Sequence, residues 1–414
     1  MSCAGLLNAV KLSRKHLPLR IPLIMIAMHK TWLRTITLLL AVSSPLCSQA
    51  GAATATEAEF GKPQKLVDVG GRKLNLYCSG LVTTTVIFDS PSGDGGWSWY
   101  KVQPEVARRT RACVYDRAGF GFSDPAARQD TPANAVEDLH KALAVADIKP
   151  PYLLVGNSLG GGNAQVYAYR FPEQVKGLVL VEPQTEDQTA RLNKVTGGKL
   201  DQVYAIAEQT NAYCLSEARK GLKQGDEALN NCVGDQVASF GPVLGKVVQA
   251  IKMKPSYWRT VVGEYKVSDA IDVQLRALRR PFGDIPLVVL TRGVSPYAIP
   301  GQPQSALNKA IEDENEKIHR EIAALSSRGK QQVVPGAAHL IQAQRPDAIV
   351  QAVLEVLAQI CMSALGADVP AHMASNLFAD VSITRANFKK TNASCNGSRL
   401  KTTMLAFDAV LGAN

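Results

Sequence analysis

A five-residue motif, G-x-S-x-G, constrains this 414-residue chain more than any other feature of its sequence. It reads Gly156-Asn157-Ser158-Leu159-Gly160 and directly follows a short apolar run at 152–155. A serine in a sharp strand-to-helix turn has strained backbone angles and needs neighbours without side chains two positions before and after it. Helical spacing follows at 163–169. The pattern predicts a strand, a tight turn that exposes the Ser158 hydroxyl, and a helix, although a plain glycine-rich turn has the same letters.

The composition is that of a globular protein, with 46% hydrophobic and 20% charged residues. The length allows one large α/β domain with an insertion, or two ordinary domains. The formal net charge is +10, but six Lys or Arg residues and no acid lie in the first fifty positions, which leaves +4 for the rest. Since no dense basic run with interleaved aromatic residues follows, the sequence argues against a nucleic-acid partner.

The first fifty residues have the pattern of an export leader. Two apolar runs, 21–28 and 36–42, are each short for a bilayer span. The second has basic residues before it and small residues after it, which is typical of a signal peptide. We therefore expect a secreted or periplasmic protein with no stable membrane span after signal removal. A retained membrane anchor is the alternative, whereas Leu46 before Cys47 argues against a lipoprotein.

Six cysteines lie outside this leader. In an exported protein the even number suggests three disulfides, whose connectivity the sequence does not define. Six free buried thiols in a cytosolic protein are the alternative. None of the cysteines has the spacing of a zinc site, so we expect no metal and no cofactor. The six are Cys78, Cys113, Cys214, Cys232, Cys361 and Cys395.

Strand and helix patterns alternate through most of the chain. Two segments that flank Gly70-Gly71 alternate apolar and polar residues and predict a β-hairpin, whereas the later strand segments are almost continuously apolar. Strands of that kind, separated by helical segments such as 136–146 and 305–326, predict a mostly parallel sheet with helices on both faces. The predicted strands are 65–71, 73–78, 84–88, 112–115, 152–155, 175–181, 285–290 and 331–334.

About a hundred residues between Pro183 and Pro281 have no strand character. Helical spacing recurs there at 200–207, 217–222 and 243–251, which predicts an inserted helical cap. Cys214 and Cys232 both lie inside this insertion, where a local disulfide is plausible. The predicted organisation is a leader at 1–50, an α/β core at 51–183 and 285–360, the cap at 184–284, and a C-terminal extension at 361–414.

Several segments, in order along the chain, resemble the α/β-hydrolase superfamily. They are 114–123 for the loop after the fourth strand, 151–161 for the nucleophile turn, 175–183 for the acid strand and 335–339 for the histidine strand. The resemblance covers roughly 65–183 and 285–360 and implies an α/β-hydrolase fold. It also implies that the strand ending at Cys78 lies beside the strand containing Cys113, so that a cross-strand disulfide can form. Asn157 departs from the pattern, since many members have histidine there, and we attach no prediction to it.

A serine hydroxyl is a weak nucleophile and needs a base, for which His339 is the candidate. It follows a predicted strand late in the chain, whereas the other histidines lie in the leader, in helical stretches or in the tail. The usual place for the third member, a carboxylate, is the loop at 291–297, which contains no acid. Glu182, one strand earlier, is our choice because some members, haloalkane dehalogenases among them, place the acid there. Glu186 and Asp187 are the nearest substitutes.

Two backbone N–H groups are expected to stabilise the oxyanion. The helix that begins beside the serine directs its N–H groups and its positive dipole end at developing negative charge, so Leu159 N–H is the natural first donor. The loop at 89–96 would supply the second donor. Pro91 has no N–H, which leaves Ser92 or Gly93. The same loop could instead be a surface turn without a catalytic role.

These residues predict a serine hydrolase that cleaves a carboxylic ester through an acyl-enzyme, with a Ser158-His339-Glu182 triad. An amide or peptide hydrolase with the same triad is one alternative, because both reactions share a tetrahedral intermediate. A non-catalytic binding protein that keeps the fold is another. The expected partner is a small-molecule ester or amide, and the sequence does not define an oligomeric state.

Overall fold

The computed structural model describes residues 55–80, 84–126, 128–267, 269–299 and 301–365. Its strands are β1 Lys65–Asp68, β2 Lys73–Ser79, β3 Thr85–Asp89, β4 Ala112–Tyr115, β5 Tyr152–Asn157, β6 Val175–Val181, β7 Leu287–Arg292 and β8 Gly329–Val334. They form one eight-stranded sheet in the order β1-β2-β4-β3-β5-β6-β7-β8. β2 is antiparallel to β1 and to β4, and the other neighbours are parallel. The predicted hairpin and the mostly parallel sheet are confirmed.

Helices cover both faces of this sheet. They are α1 Gln103–Ala107, α2 Pro132–Val145, α3 Leu159–Arg170, α4 Gln188–Thr196, α5 Lys199–Lys220, α6 Glu227–Cys232, α7 Pro242–Lys252, α8 Pro255–Lys266, α9 Asp269–Leu278, α10 Ala306–Ala323, α11 Ile341–Gln344 and α12 Pro346–Leu365. α2, α3 and α10 share one hydrophobic cluster, and α1 and α12 share the other. In β3, Val86 and Phe88 belong to the second cluster and Ile87 to the first, because successive side chains of a strand point to opposite faces.

Two of the differences from the sequence prediction have identifiable reasons. The segment 217–222 is not a separate helix, because α5 runs without a break from Lys199 to Lys220 and ends only at Gly221, which has a positive φ of 94°. The strand predicted at 285–290 is β7, which continues through Thr291 and Arg292. Both polar residues are buried at the end of the sheet, so apolar character alone did not reveal them as strand residues.

Residues 188–278, between β6 and β7, form helices α4 to α9 and a short 3-10 segment. Cys214 in α5 and Cys232 in α6 are joined by a disulfide. Cys78 in β2 and Cys113 in β4 are paired residues of the sheet and form a second disulfide. Cys361 is also disulfide-bonded. The leader at 1–50, the extension from 366 to 414 and Cys395 within it lie outside the described residues.

One helix among the described residues, α12, is long and apolar enough to cross a membrane, with a mean hydropathy of 1.3 over Pro346–Ser363. Its side chains Ile349, Val353 and Val356 are buried in the core cluster on one face of the sheet. Gly177 of β6 lies so close to Val356 that a Cβ there would be 2.5 Å from it. α12 therefore packs as a core helix of the domain.

Candidate active site

Ser158 lies in the strained turn between β5 and α3, with φ 55° and ψ −119°. The glycines of the motif are required by close backbone approach. A Cβ on Gly156 would lie 2.1 Å from the carbonyl oxygen of Gly160, and one on Gly160 would lie 2.4 Å from the carbonyl oxygen of Asp89. Since real Cβ atoms do not approach this closely, only glycine fits at either position without a shift of the backbone. Ser158 is thus fixed at the carboxyl end of the central strand.

Leu159 is the first residue of α3, so its backbone N–H has no acceptor within the helix. The N–H groups of Gly161 and Gly162 both donate to Ser158 O, at 2.9 and 3.2 Å. Gln184 N, in the loop after β6, donates to the same oxygen at 2.8 Å. The turn is therefore held against the neighbouring loop. Leu159 N–H lies at the N-terminus of α3, where negative charge is favoured.

Glu182 directly follows β6 and is almost fully buried, with 2% of its surface exposed. Its backbone has a positive φ of 47°, and its N–H donates to Leu290 O of β7. The side chain accepts from Arg292, whose backbone N–H lies 2.7 Å from Oε1 and whose Nη1 lies 2.5 Å from Oε2. Burial alone would raise the pKa of Glu182, but Arg292 and the hydrogen bond with His339 hold that pKa well below its usual range. The carboxylate is ionised.

His339 follows β8 and directs Nδ1 towards Glu182 Oε2 at 3.4 Å. Its backbone oxygen accepts a 3.2 Å hydrogen bond from Asn157 Nδ2, and Asn157 Oδ1 in turn accepts from Gln342. Asn157 immediately precedes Ser158, so its side chain ties the nucleophile turn to the histidine loop. The hydrogen bonds of the described residues do not include one between Ser158 Oγ and His339. Catalytic hydrogen bonds are often long before substrate binds.

Two of these residues were missed by the sequence analysis. Asn157 was passed over as a departure from the family pattern, yet it links the turn to His339. Arg292 occupies the end of β7, the strand after which a carboxylate was sought, and it pairs with Glu182 instead. An arginine at the end of a buried strand indicates that a buried partner of opposite charge is needed, but the sequence does not identify that partner.

A second histidine, His319 of α10, lies behind the acid. Its Nδ1 is 2.8 Å from Thr291 Oγ1 and 3.8 Å from Glu182 Oε1. The side chain is fully buried, and burial lowers the pKa of His319 to about 4 despite the neighbouring carboxylate. His319 is therefore neutral near pH 7. The sequence analysis set His319 aside as a helical residue, whereas in the structure it lies next to Glu182.

The loop after β3 holds the two candidates for the second oxyanion donor, and their environments differ. Gly93 N donates to Glu264 of α8 at 3.1 Å, and Ser92 Oγ donates to the same carboxylate at 2.6 Å. The N–H of Gly93 is thus hydrogen-bonded to α8. Ser92 is exposed, and the hydrogen bonds of the described residues include none from its backbone N–H. The two candidate donors therefore differ, because only the Gly93 N–H has an acceptor among the described residues.

A small cavity lies beside Leu159, on the side of β3 and β4, and both polar and apolar side chains line it. Asn163 of α3 lines it with a buried amide whose Nδ2 donates to Asp89, and Asn163 Oδ1 has no hydrogen-bond partner among the described residues. Asp130 also lines the cavity. Burial and the nearby Glu264 carboxylate raise the pKa of Asp130 to about 7.

Comparison with known proteins identifies the fold. A family model described as the alpha/beta hydrolase fold matches residues 76–222. The chain is 36% identical over 128 residues to 2-hydroxymuconate semialdehyde hydrolase of Pseudomonas sp. (strain CF600), a match of 29% of this chain and 45% of the relative. It is 29% identical over 119 residues to the protein YbdG of Bacillus subtilis (strain 168), covering 28% of this chain and 37% of the relative. The chain thus spans less than half of the length of these relatives.

A solved structure, that of a putative lipase (lip1) from Acinetobacter baumannii AYE, superposes with a TM-score of 0.51 at 16% identity. The superposition covers 76% of this chain and 97% of the lipase. At this identity the likeness concerns the fold alone. Together with the family match over residues 76–222 and the sheet order, it shows that the chain has the α/β-hydrolase fold, as its motifs predicted.

Replacing Asp130 with Asn should change how stability depends on pH. Because the pKa of Asp130 is raised from its usual 3.8 to about 7 in the folded state, the protein loses stability progressively as the pH rises from about 4 to 7. Asparagine does not ionise. Relative to wild type, the free energy of unfolding of Asp130→Asn should therefore increase by about 1 to 2 kcal/mol between pH 4 and pH 8, after allowance for partial exposure. Urea unfolding at several pH values measures this.

Asp313→Asn is the matched control, because Asp313 is an exposed residue of α10 that pairs with Lys309 on the surface. Its stability difference from wild type should stay nearly flat over the same pH range. If the free energies of unfolding of Asp130→Asn and wild type change in parallel from pH 4 to pH 8, the pKa of Asp130 is not raised.

Proposed function

We propose that this chain is a serine hydrolase that cleaves a carboxylic ester through an acyl-enzyme. The observation that carries the proposal is the approach of His339 Nδ1 to the buried carboxylate of Glu182, in a loop that Asn157 ties to the Ser158 turn. An imidazole oriented by a buried carboxylate is the base that a serine nucleophile requires. The strained turn that presents Ser158 supports the same assignment.

In the proposed reaction, Ser158 Oγ attacks the ester carbonyl carbon while His339 Nε2 accepts the hydroxyl proton. Glu182 stabilises the imidazolium, and Arg292 keeps Glu182 ionised in its buried site. The N–H groups of Leu159 and Ser92 stabilise the oxyanion, each contributing on the order of 3 kcal/mol. Collapse of the intermediate releases the alcohol, which takes the proton from His339. Water then attacks the acyl-enzyme by the same route and releases the acid.

The nucleophile is tested by labelling with an active-site phosphonate. Wild type should be modified covalently at Ser158, since His339 removes the hydroxyl proton as the phosphorus is attacked. Ser158→Ala should not be labelled, and its ester hydrolysis should fall by at least about 10⁴-fold. Mass spectrometry of the tryptic peptides locates the label, and circular dichroism establishes that the variant is folded.

Ser327→Ala provides the control, because Ser327 is an exposed residue whose hydroxyl contacts only the Gly283 carbonyl. It should label and turn over as wild type does. Folded wild-type protein that neither labels nor hydrolyses any ester would refute the enzyme proposal and favour a binding protein that keeps the fold.

Esters are favoured over amides in this proposal, although both bonds pass through the same intermediate. Hydrolysis of nitrophenyl esters of graded acyl length should be compared with that of an aminoacyl anilide. We expect kcat/KM to be higher for the esters, because a nitrophenolate leaves the shared tetrahedral intermediate more readily than an aniline, which must first be protonated. A preference for the anilide would replace the esterase assignment with an amide hydrolase.

We also propose that the protein is secreted or periplasmic. The disulfides Cys78–Cys113 and Cys214–Cys232 fit an oxidising compartment, and the sequence of the first fifty residues supports export. Mass spectrometry of the protein from its native cells should find a mature N-terminus close to residue 50. An N-terminus upstream of Met28 would instead indicate retention at a membrane.

A further inference from the structure

The loop that carries Ser92 and Gly93 is held by a single carboxylate of the cap. Glu264, in the last turns of α8, is buried, with 6% of its surface exposed. Its Oε2 accepts from Ser92 Oγ at 2.6 Å and from Gly93 N at 3.1 Å. Its Oε1 accepts from Arg117 Nε and Nη2, at 3.1 and 2.9 Å. Both oxygens of this carboxylate are therefore used as acceptors, one towards the loop and one towards the core.

Arg117 fixes the same loop from the core side. Besides Glu264, its guanidinium donates to Asp89 Oδ1 and Ser90 O through Nη1, and to Pro91 O through Nη2. The five N–H groups of the guanidinium are thereby all engaged. A fully paired arginine in a buried site has no freedom to rotate, so the carbonyl oxygens of two successive loop residues are held in one direction.

The direction of the Ser92 N–H follows from this arrangement. The peptide bond between Pro91 and Ser92 is planar and trans, so its N–H points opposite to its C=O. Because the Pro91 carbonyl is turned towards Arg117, the Ser92 N–H is turned away from it. Glu264 holds the next peptide through the N–H of Gly93, and Tyr257 of the same helix donates to Gly93 O at 2.9 Å.

We propose that Glu264 is a positioning residue that sets the second oxyanion donor, Ser92 N–H, so that the cap helix α8 determines whether the oxyanion hole is complete. This inference rests on the function proposed above. Glu264 acts through the backbone of the loop and does not touch the reacting atoms. Its removal leaves Arg117 buried with one carboxylate fewer and releases the Gly93 peptide, which frees the Ser92 N–H to change direction.

Glu264→Gln tests the inference with almost no change of volume. Glutamine offers one acceptor oxygen where Glu264 uses two, so either Arg117 or the loop then faces an NH₂ group. For a nitrophenyl ester we expect kcat to fall about 10- to 100-fold, less than the loss on complete removal of a donor, with KM changed less than about 3-fold. Ser92→Ala, which removes only the hydroxyl contact to Glu264, should give a smaller loss in the same direction.

The oxygen specificity of the effect separates positioning from general structural damage. A thionoester places sulfur where the oxyanion forms and gains less from the N–H donors, so its hydrolysis should fall less in Glu264→Gln than that of the matched ester. Amide hydrogen exchange of the peptide containing Ser92 and Gly93 should become faster. Glu217→Gln is the control, because it makes the same change in the cap at a carboxylate that pairs with Lys220 near the surface. It should leave all three measurements unchanged.

Equal losses on ester and thionoester, or wild-type kcat in folded Glu264→Gln, would overturn the inference. If Glu264→Gln does not fold, Ser92→Ala is used as the test instead. An unchanged ratio of ester to thionoester hydrolysis in Ser92→Ala would also overturn the inference. Wild type is assayed beside Ser158→Ala first. Absence of turnover and labelling in wild type would refute the proposed function itself. An active wild type whose activity does not depend on Glu264 would refute only the present inference.

Discussion

The buried ion pair between Glu182 and Arg292 is the interaction on which the candidate site depends. A carboxylate at the end of a central strand would lose its charge without a compensating partner, because desolvation disfavours the ionised form. Arg292 supplies this partner from the adjacent strand, with both a backbone and a side-chain donor. The cost is that Arg292 Nη1 and His339 Nδ1 share Oε2 as an acceptor. The acid thus orients His339 while part of its charge is already neutralised.

Much of the scaffold could be predicted from the sequence, because local patterns specify it. The continuous apolar runs of β5 and β6 and the glycines around Ser158 each carry their own physical reason, namely burial on both faces and close backbone approach. Those patterns also place the serine, the acid and the histidine after the parallel strands β5, β6 and β8. Since carboxyl ends of parallel strands meet at one edge of the sheet, the approach of His339 to Glu182 follows from the order of the strands.

The remaining residues of the site could not be predicted, because their roles arise only from tertiary contacts. Asn157 is an ordinary strand residue until the histidine loop lies against it, and Arg292 is an ordinary surface-type residue until β7 pairs with β6. Glu264 is separated from Ser92 by 172 positions in the sequence, and nothing in the helical spacing of the cap marks it. A buried charge is recognisable in a sequence only when its partner is known.

β5, the strand that precedes Ser158, lies between two buried groups of ion pairs, each made of one arginine and two carboxylates. In the sheet, β3 and β4 flank β5 on one side and β6 and β7 flank it on the other. Arg117 pairs with Asp89 and Glu264 on the first side, and Arg292 pairs with Glu182 and Glu312 on the second. Each arginine is held by two carboxylates, so the groups around Ser158 are fixed before any substrate binds. In the proposed reaction, preorganised charges of this kind need little rearrangement when the oxyanion forms. That is the physical advantage of keeping them in a buried and otherwise costly position.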